Sequence, residues 1–355
     1  MRKPNMILPE NKIPRKYQQL HLGIQTLRAW LCLMVVYNHV PMESTVAMAP
    51  WLRNAFGLLC SMAVPSFVLI SFYLSGSLFL QSKSMIAEQL RKKIKRLLLP
   101  FIAWSILGFA VYVKKISLAN IFFQLLFGSV VNSPLYYLAI TFYFILLFSM
   151  LTWLNFRLRL IALCVLMIVC FYIQYTGLNY CIFSDFSESS RYTLGRLGEL
   201  FPYAVVGILL RHYFNISQCY DLNYRVNWWW FLIIVPVFIA GIILLRYTPK
   251  GFGYQGIGLA ICSSSMFLMF LIQSNANLLN FTPHIVLSIS NISLGIFCSH
   301  YLLNRIIRSW FGSLKIYDII ASIPFAYGLV LFICSVLLCL KLKNSFNGRL
   351  KPLVS

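Results

Sequence analysis

The sequence predicts an all-α fold: a polytopic transmembrane helical bundle of about ten spans with both termini on the cytoplasmic side (N-in/C-in). Three observations predict it. Of the 355 residues, 60% are hydrophobic and only 11% charged, where a soluble domain has roughly 45–50% and 25%. The apolar residues come in long unbroken blocks, not in the alternation of a membrane β-barrel. Ten crossings of ~20 residues use ~200 positions, which is what this apolar content supplies. The composition therefore excludes a soluble enzyme, a disordered chain and a disulfide scaffold.

Taken in order, residues 1–21 form a basic tail carrying Arg2, Lys3, Lys12, Arg15 and Lys16. A basic segment ahead of an apolar run resembles a signal peptide, but no small-x-small cleavage site follows Val40. The segment reads as a retained cytoplasmic tail. The spans are expected at 22–40, 57–80, 97–113, 134–154, 158–177, 199–213, 228–246, 255–273, 285–304 and 319–341. They compose one transmembrane domain, 22–341, followed by a cytoplasmic tail at 342–355 with no appended soluble domain. Residues 118–131 are apolar but short, which suits a re-entrant or interfacial segment better than a crossing. Trp228, Trp229 and Trp230 read as an interfacial anchor.

Lys and Arg total 30 against 8 acids, a net charge of +22. In a soluble chain that excess suggests nucleic acid; in a membrane protein it marks cytoplasmic loops, so no nucleic-acid partner is expected. With the N-terminus inside, cytoplasmic segments hold 19 Lys/Arg and outer segments 10. The densest cluster, Lys83, Arg91, Lys92, Lys93, Lys95 and Arg96, falls between the second and third spans. The ten cysteines sit mostly in apolar blocks with no CxxC pair, as small buried residues rather than disulfides or metal ligands.

Ionisable groups within spans are costly and so are functional candidates. Arg28 and His39 are 11 residues apart in the first span, which at ~100° per residue puts them on one face, ~16 Å apart. Each alone also has a plain reading, a snorkelling Arg and an interfacial His near Pro41. His300 lies in the ninth span at a similar depth, where Ser299 or Ser293 would satisfy it if it were structural. His21, His212 and His284 lie at polar boundaries. Ser75 precedes Gly76 and reads as helix packing rather than as a nucleophile. Glu199, with Arg191 and Arg196 nearby, either binds a polar acceptor or pairs internally.

Several of these segments together resemble the acyltransferase-3 family of integral-membrane O-acyltransferases. Arg28-x10-His39 is similar to its first-span signature. Phe72-Tyr73-Leu74-Ser75-Gly76 resembles its second-span serine-glycine motif. Lys92-Lys93-Ile94-Lys95-Arg96-Leu97-Leu98-Leu99-Pro100 resembles the basic run and proline opening its third span. Leu135-Tyr136-Tyr137-Leu138 is similar to a segment that usually carries Trp where Tyr136 stands. Ser293-Leu294-Gly295-Ile296-Phe297-Cys298-Ser299-His300 resembles its late Ser…Tyr-Leu-x-His element, with Phe297 and Cys298 substituted.

The resemblance implies transfer of an acyl group, commonly acetyl, from cytoplasmic acyl-CoA to a hydroxyl of a cell-surface or lipid-linked glycan. The setting is the inner membrane of a bacterial cell. Acyl-CoA is a co-substrate; no bound cofactor and no metal is expected. The residues agree with that chemistry. A sugar hydroxyl attacks only as a base removes its proton, and histidine suits the task. The expected catalytic set is His39, Arg28 and His300. CoA phosphates need fixed cations, for which Arg28, Arg91, Lys93 and Arg96 are the candidates. Glu199, Arg196 and Tyr136 are the candidates for the acceptor. A transporter or flippase for a lipid-linked sugar or small anion is the alternative; it would favour repeated halves with paired broken helices, and none is visible.

Overall fold

The computed structural model describes residues 15–40, 49–80, 83–112, 117–128, 133–176, 188–213, 229–245, 256–275, 284–323, 325–345 and 350–354. Every regular element among them is helical. In chain order these are α1 (Arg15–Tyr37), α2 (Pro50–Leu80), α3 (Lys83–Tyr112), α4 (Leu118–Phe127), α5 (Tyr136–Leu151), α6 (Phe156–Thr176) and α7 (Glu188–Tyr213). There follow α8 (Trp229–Leu245), α9 (Ile257–Asn275), α10 (His284–Asn291), α11 (Ser293–Phe311), α12 (Lys315–Ser322) and α13 (Ala326–Asn344), with short 3₁₀ turns at Ser133–Leu135 and Lys351–Leu353.

Five stretches are long and apolar enough to cross a membrane: Pro50–Gly76, Leu90–Val111, Phe156–Thr176, Thr193–Tyr213 and Ala326–Asn344. The pair α10 and α11 makes a sixth if counted as one broken span. Five apolar helices are shorter, Leu22–Tyr37, Leu118–Phe127, Tyr136–Leu151, Trp230–Leu245 and Ile257–Ile272. The multi-pass class is thus plain.

The helix bounds correct the sequence reading in four places. The basic run before Leu97 is not a loop, since α3 is helical from Lys83 onward. Residues 188–198, expected outside the sixth span, belong to α7. The ninth span is not continuous: α10 and α11 meet at 73°. The tenth is divided before Ala326, where Phe325 adopts φ 67°, a conformation that crowds a side chain against the following carbonyl.

The core forms where α2 packs along α7, with α1 and α9 beside them. Small residues permit the approach, as they do generally between membrane helices. A Cβ built on Gly207 of α7 would lie 2.5 Å from the Leu69 carbonyl oxygen and 2.9 Å from the Tyr73 nitrogen of α2. Gly76 meets α7 in the same way, against Arg211. This supports the packing role assigned to the Ser75-Gly76 pair.

Helix ends inside an apolar bundle leave carbonyls and amides that must find partners. Arg159, at the start of α6, donates to the carbonyls of Leu151 (3.2 Å), Thr152 and Leu154 (both 3.1 Å) and also of Phe79. One guanidinium thereby caps the ends of α5 and α2. The short helix α4 starts at Ser117, whose hydroxyl accepts from the Asn120 amide. It ends at Gly128, φ 72°, with Tyr143 donating to the Leu126 carbonyl and Thr193 to that of Phe127. At ten residues α4 spans ~15 Å, about half a bilayer core.

Candidate active site

The break between α10 and α11 is fastened to α1. Ser290, near the end of α10, donates to Gln25, and Arg28, one turn along α1, donates to the hydroxyl of Ser293, the first residue of α11. Residues spaced by three share a helix face, so Gln25 and Arg28 hold both sides of the break. The other side of α11's first turn is closed from the chain end. The Gly295 amide donates to the Val354 carbonyl at 3.2 Å, and Trp104 of α3 donates to the Leu353 carbonyl at 3.2 Å. The segment assigned to a cytoplasmic tail, 342–355, therefore includes a buried residue, Val354, packed against α11.

Arg28 reaches a cavity of about 290 Å³ bounded by α1, α2, α3, α5 and α11. Lys93 and Arg96, one helical turn apart on α3, enter the same cavity. So do Ser71 and Ser75 of α2, Tyr137 and Thr141 of α5, and Ser293. Among these described lining residues there is no carboxylate, so three cations face one another across a partly enclosed space. Such a space has the charge and donors for an anion of several oxygens. Arg91, Lys92 and Lys95 are exposed on α3 and outside the lining.

The inner wall of the cavity is aromatic. Tyr137 hydrogen-bonds the Ser71 hydroxyl at 2.8 Å, and its ring lies 4.8 Å from that of Phe297. Phe297 in turn meets His300 at 6.2 Å, and His300 meets His39 at 5.0 Å. The two histidines predicted at similar depth are thus adjacent, and Phe297 stands between them and the cations.

His300 is fully buried. Its Nδ1 is 3.0 Å from the Ile296 carbonyl, while its Nε2 has no hydrogen-bond partner. The serine partners that a purely structural His300 would have had are engaged elsewhere. Ser299 turns to the Ile296 carbonyl and Cys339, and Ser293 to Arg28. His39 is half-buried and lies past the last residue of α1, in a turn whose bonds run His39 to Val36 and Val40 to Tyr37. The helical arithmetic linking it to Arg28 breaks down over this last step.

The other candidates sit elsewhere. Arg196 and Glu199 pair with each other at 2.8 Å on α7, and neither lines the cavity. Tyr136 is buried but outside the lining, whereas its neighbour Tyr137 is inside it. Among the boundary histidines, His212 packs on Phe156 at 5.0 Å and His284 is exposed. The side chain of Arg191, and Trp228, lie outside the described residues. Reading residues singly missed Tyr137 and Phe297, although both stand in segments that had drawn attention. Gln25 was missed too; it lies three residues before Arg28, on the same face.

Fold and cavity together define a multi-pass helical membrane protein whose polar site is built inside the bundle. A family model described as an acyltransferase domain matches residues 21–342. The chain belongs to this family, the acyltransferase-3 family, and is a membrane acyltransferase that acts on hydroxyl groups. Comparison with curated proteins and with solved structures finds no match.

Proposed function

We propose that the protein moves an acyl group, acetyl in the simplest case, from cytoplasmic acyl-CoA to a hydroxyl of a lipid-linked or cell-surface glycan. The setting is a bacterial inner membrane crossed ten times, with both chain ends inside. One observation carries the reading: Arg28, Lys93 and Arg96 converge on a single cavity whose wall, Phe297, meets His300, and His300 packs on His39. In this reading the three cations hold the phosphates of CoA, and the thioester end extends past Phe297 toward His39. His39 takes the proton from the acceptor hydroxyl as its oxygen attacks the thioester carbonyl carbon. The tetrahedral adduct collapses with cleavage of the carbon–sulfur bond, and the CoA thiolate leaves and takes up the proton. A proton-accepting group of this kind typically supplies 10²–10⁴-fold in rate. His300 packs against the His39 ring, and the acceptor enters from the far side.

The test is CoA release by detergent-purified protein given acetyl-CoA and a glycan acceptor. His39→Ala is expected to abolish acceptor-dependent release while the variant stays inserted and folded. Near-native turnover in that variant would remove His39 as the base and leave His300 as the candidate.

A further inference from the structure

His39 lies beyond the ladder of α1: its ring packs on His300 and Tyr301 of α11, and a contact from outside the helix braces the turn that carries it. That contact is Asn304, one helical turn after His300 on α11. Its side-chain nitrogen donates to the His39 carbonyl at 2.8 Å. Its side-chain oxygen accepts from the Tyr327 hydroxyl of α13 at 2.5 Å. Asn304 is 5% exposed and Tyr327 2%, so neither bond is shared with bulk solvent. An amide has one donor end and one acceptor end. The Tyr327 hydroxyl engages the oxygen, which leaves the nitrogen for His39; the flipped amide would set two oxygens against each other. Because Asn304 and His300 share a face of α11, the same stripe supports the His39 turn and packs on its ring.

We propose that Asn304 and Tyr327 are positioning residues, a relay that fixes the His39 turn so that the ring faces the reacting centre. This rests on the reading of His39 as the base. Neither residue touches the donor cavity, so they act on turnover and not on donor binding. A misplacement of about 1 Å in such a group costs on the order of 100-fold in rate.

The experiment measures kcat and donor KM for acetyl-CoA on purified variants, normalised to folded protein by thermal melting. Asn304→Asp, which puts an oxygen against the His39 carbonyl, is expected to lower kcat on the order of 100-fold. Asn304→Ala should lower it roughly 10-fold and Tyr327→Phe less, with donor KM within about twofold throughout. Since Tyr327 reaches the His39 turn through Asn304, the double variant should match Asn304→Ala within about twofold rather than multiply the losses. A fall confined to folded yield, normal kcat in the folded Asn304 variants, or multiplying losses in the double variant would each overturn the relay. Should Asn304→Asp not fold, Asn304→Ala, Tyr327→Phe and the double variant decide. Wild type without CoA release would overturn the function reading and the relay together, whereas an active His39→Ala would overturn His39 as the base, and the relay with it, while leaving acyl transfer in place. A dead His39→Ala beside fully active Asn304 variants would overturn the relay only.

Discussion

Arg28 joins two tasks that usually fall to different residues. It bonds the Ser293 hydroxyl at the helix break, and it supplies one of the three cations of the cavity. Lys93 and Arg96 reach the cavity from the basic run of α3 rather than from the helix break, which separates the expected outcomes. Arg96→Ala should raise the donor KM roughly 10- to 150-fold, the value of a charge-assisted contact of about 1.5–3 kcal/mol. Arg28→Ala should do the same and also lower the melting temperature, because Ser293 loses its partner. Arg96→Lys should rescue only in part, since an ammonium cannot reproduce the two-pronged guanidinium contact. Donor KM and melting curves on the same preparations check all three, and an unchanged KM in both alanine variants would remove the donor site. Arg91 is outside the lining, so Arg91→Ala should leave KM within about twofold. Arg28 stood out in the sequence because a charge in an apolar run needs a reason. Tyr137 did not, because an aromatic in a span is ordinary and only its neighbours mark it.

At the level of the helices, two kinds of glycine are distinguished by what surrounds them. Gly207 lies against the α2 backbone, whereas nothing comes within 4 Å of a Cβ built on Gly195, in the same helix. Gly207→Ala should therefore destabilise by about 1–3 kcal/mol through overpacking. Gly195→Ala should be neutral or stabilising by up to about 1 kcal/mol, from helix propensity alone. Thermal melting of the two variants compares them directly; equal effects would mean that the α2–α7 contact is looser than described. Gly328, at the start of α13, belongs with Gly207, since its Cβ would strike the Tyr37 ring. Tyr37 also donates to the carbonyl of Phe325 at 2.6 Å, and this brace explains how the left-handed Phe325 is held. These distinctions were invisible in the sequence, where every glycine in a span looks alike.

For the molecule as a whole, the open question with a direct answer is orientation. The excess of Lys and Arg in alternate segments is the basis for proposing that both ends lie in the cytoplasm, and the proposed donor reading requires the cationic cavity to open on that same side. Reporter fusions after Ser187 and after Ser355 are expected to give an outer signal and a cytoplasmic signal respectively. An outer signal at Ser355 would overturn both the ten-span count and the side assigned to the donor. Counting spans by helix length is a weak guide here, because several of the apolar helices are shorter than a bilayer core. The broken pair α10–α11 is where a length rule fails most plainly, and it is also where the cavity is built.

What the sequence by itself determined is the class and the parts: a multi-pass helical protein with an acyltransferase signature spread over most of its length. Arg28, His39 and His300 were recognisable because a charged or titratable side chain in a span is costly, and that cost is written in residue identity. Pairings depended on the tertiary structure. Residues 39 and 300 become neighbours only because α11 starts anew at Ser293, beside Arg28, and runs alongside α1 in the same direction, and 3.6-residue periodicity carries no information on such a break. The same holds for Glu199, whose partner turned out to be Arg196 on its own helix. It holds again for Asn304, a polar residue whose meaning rests entirely on the carbonyl and the hydroxyl at either end of its amide.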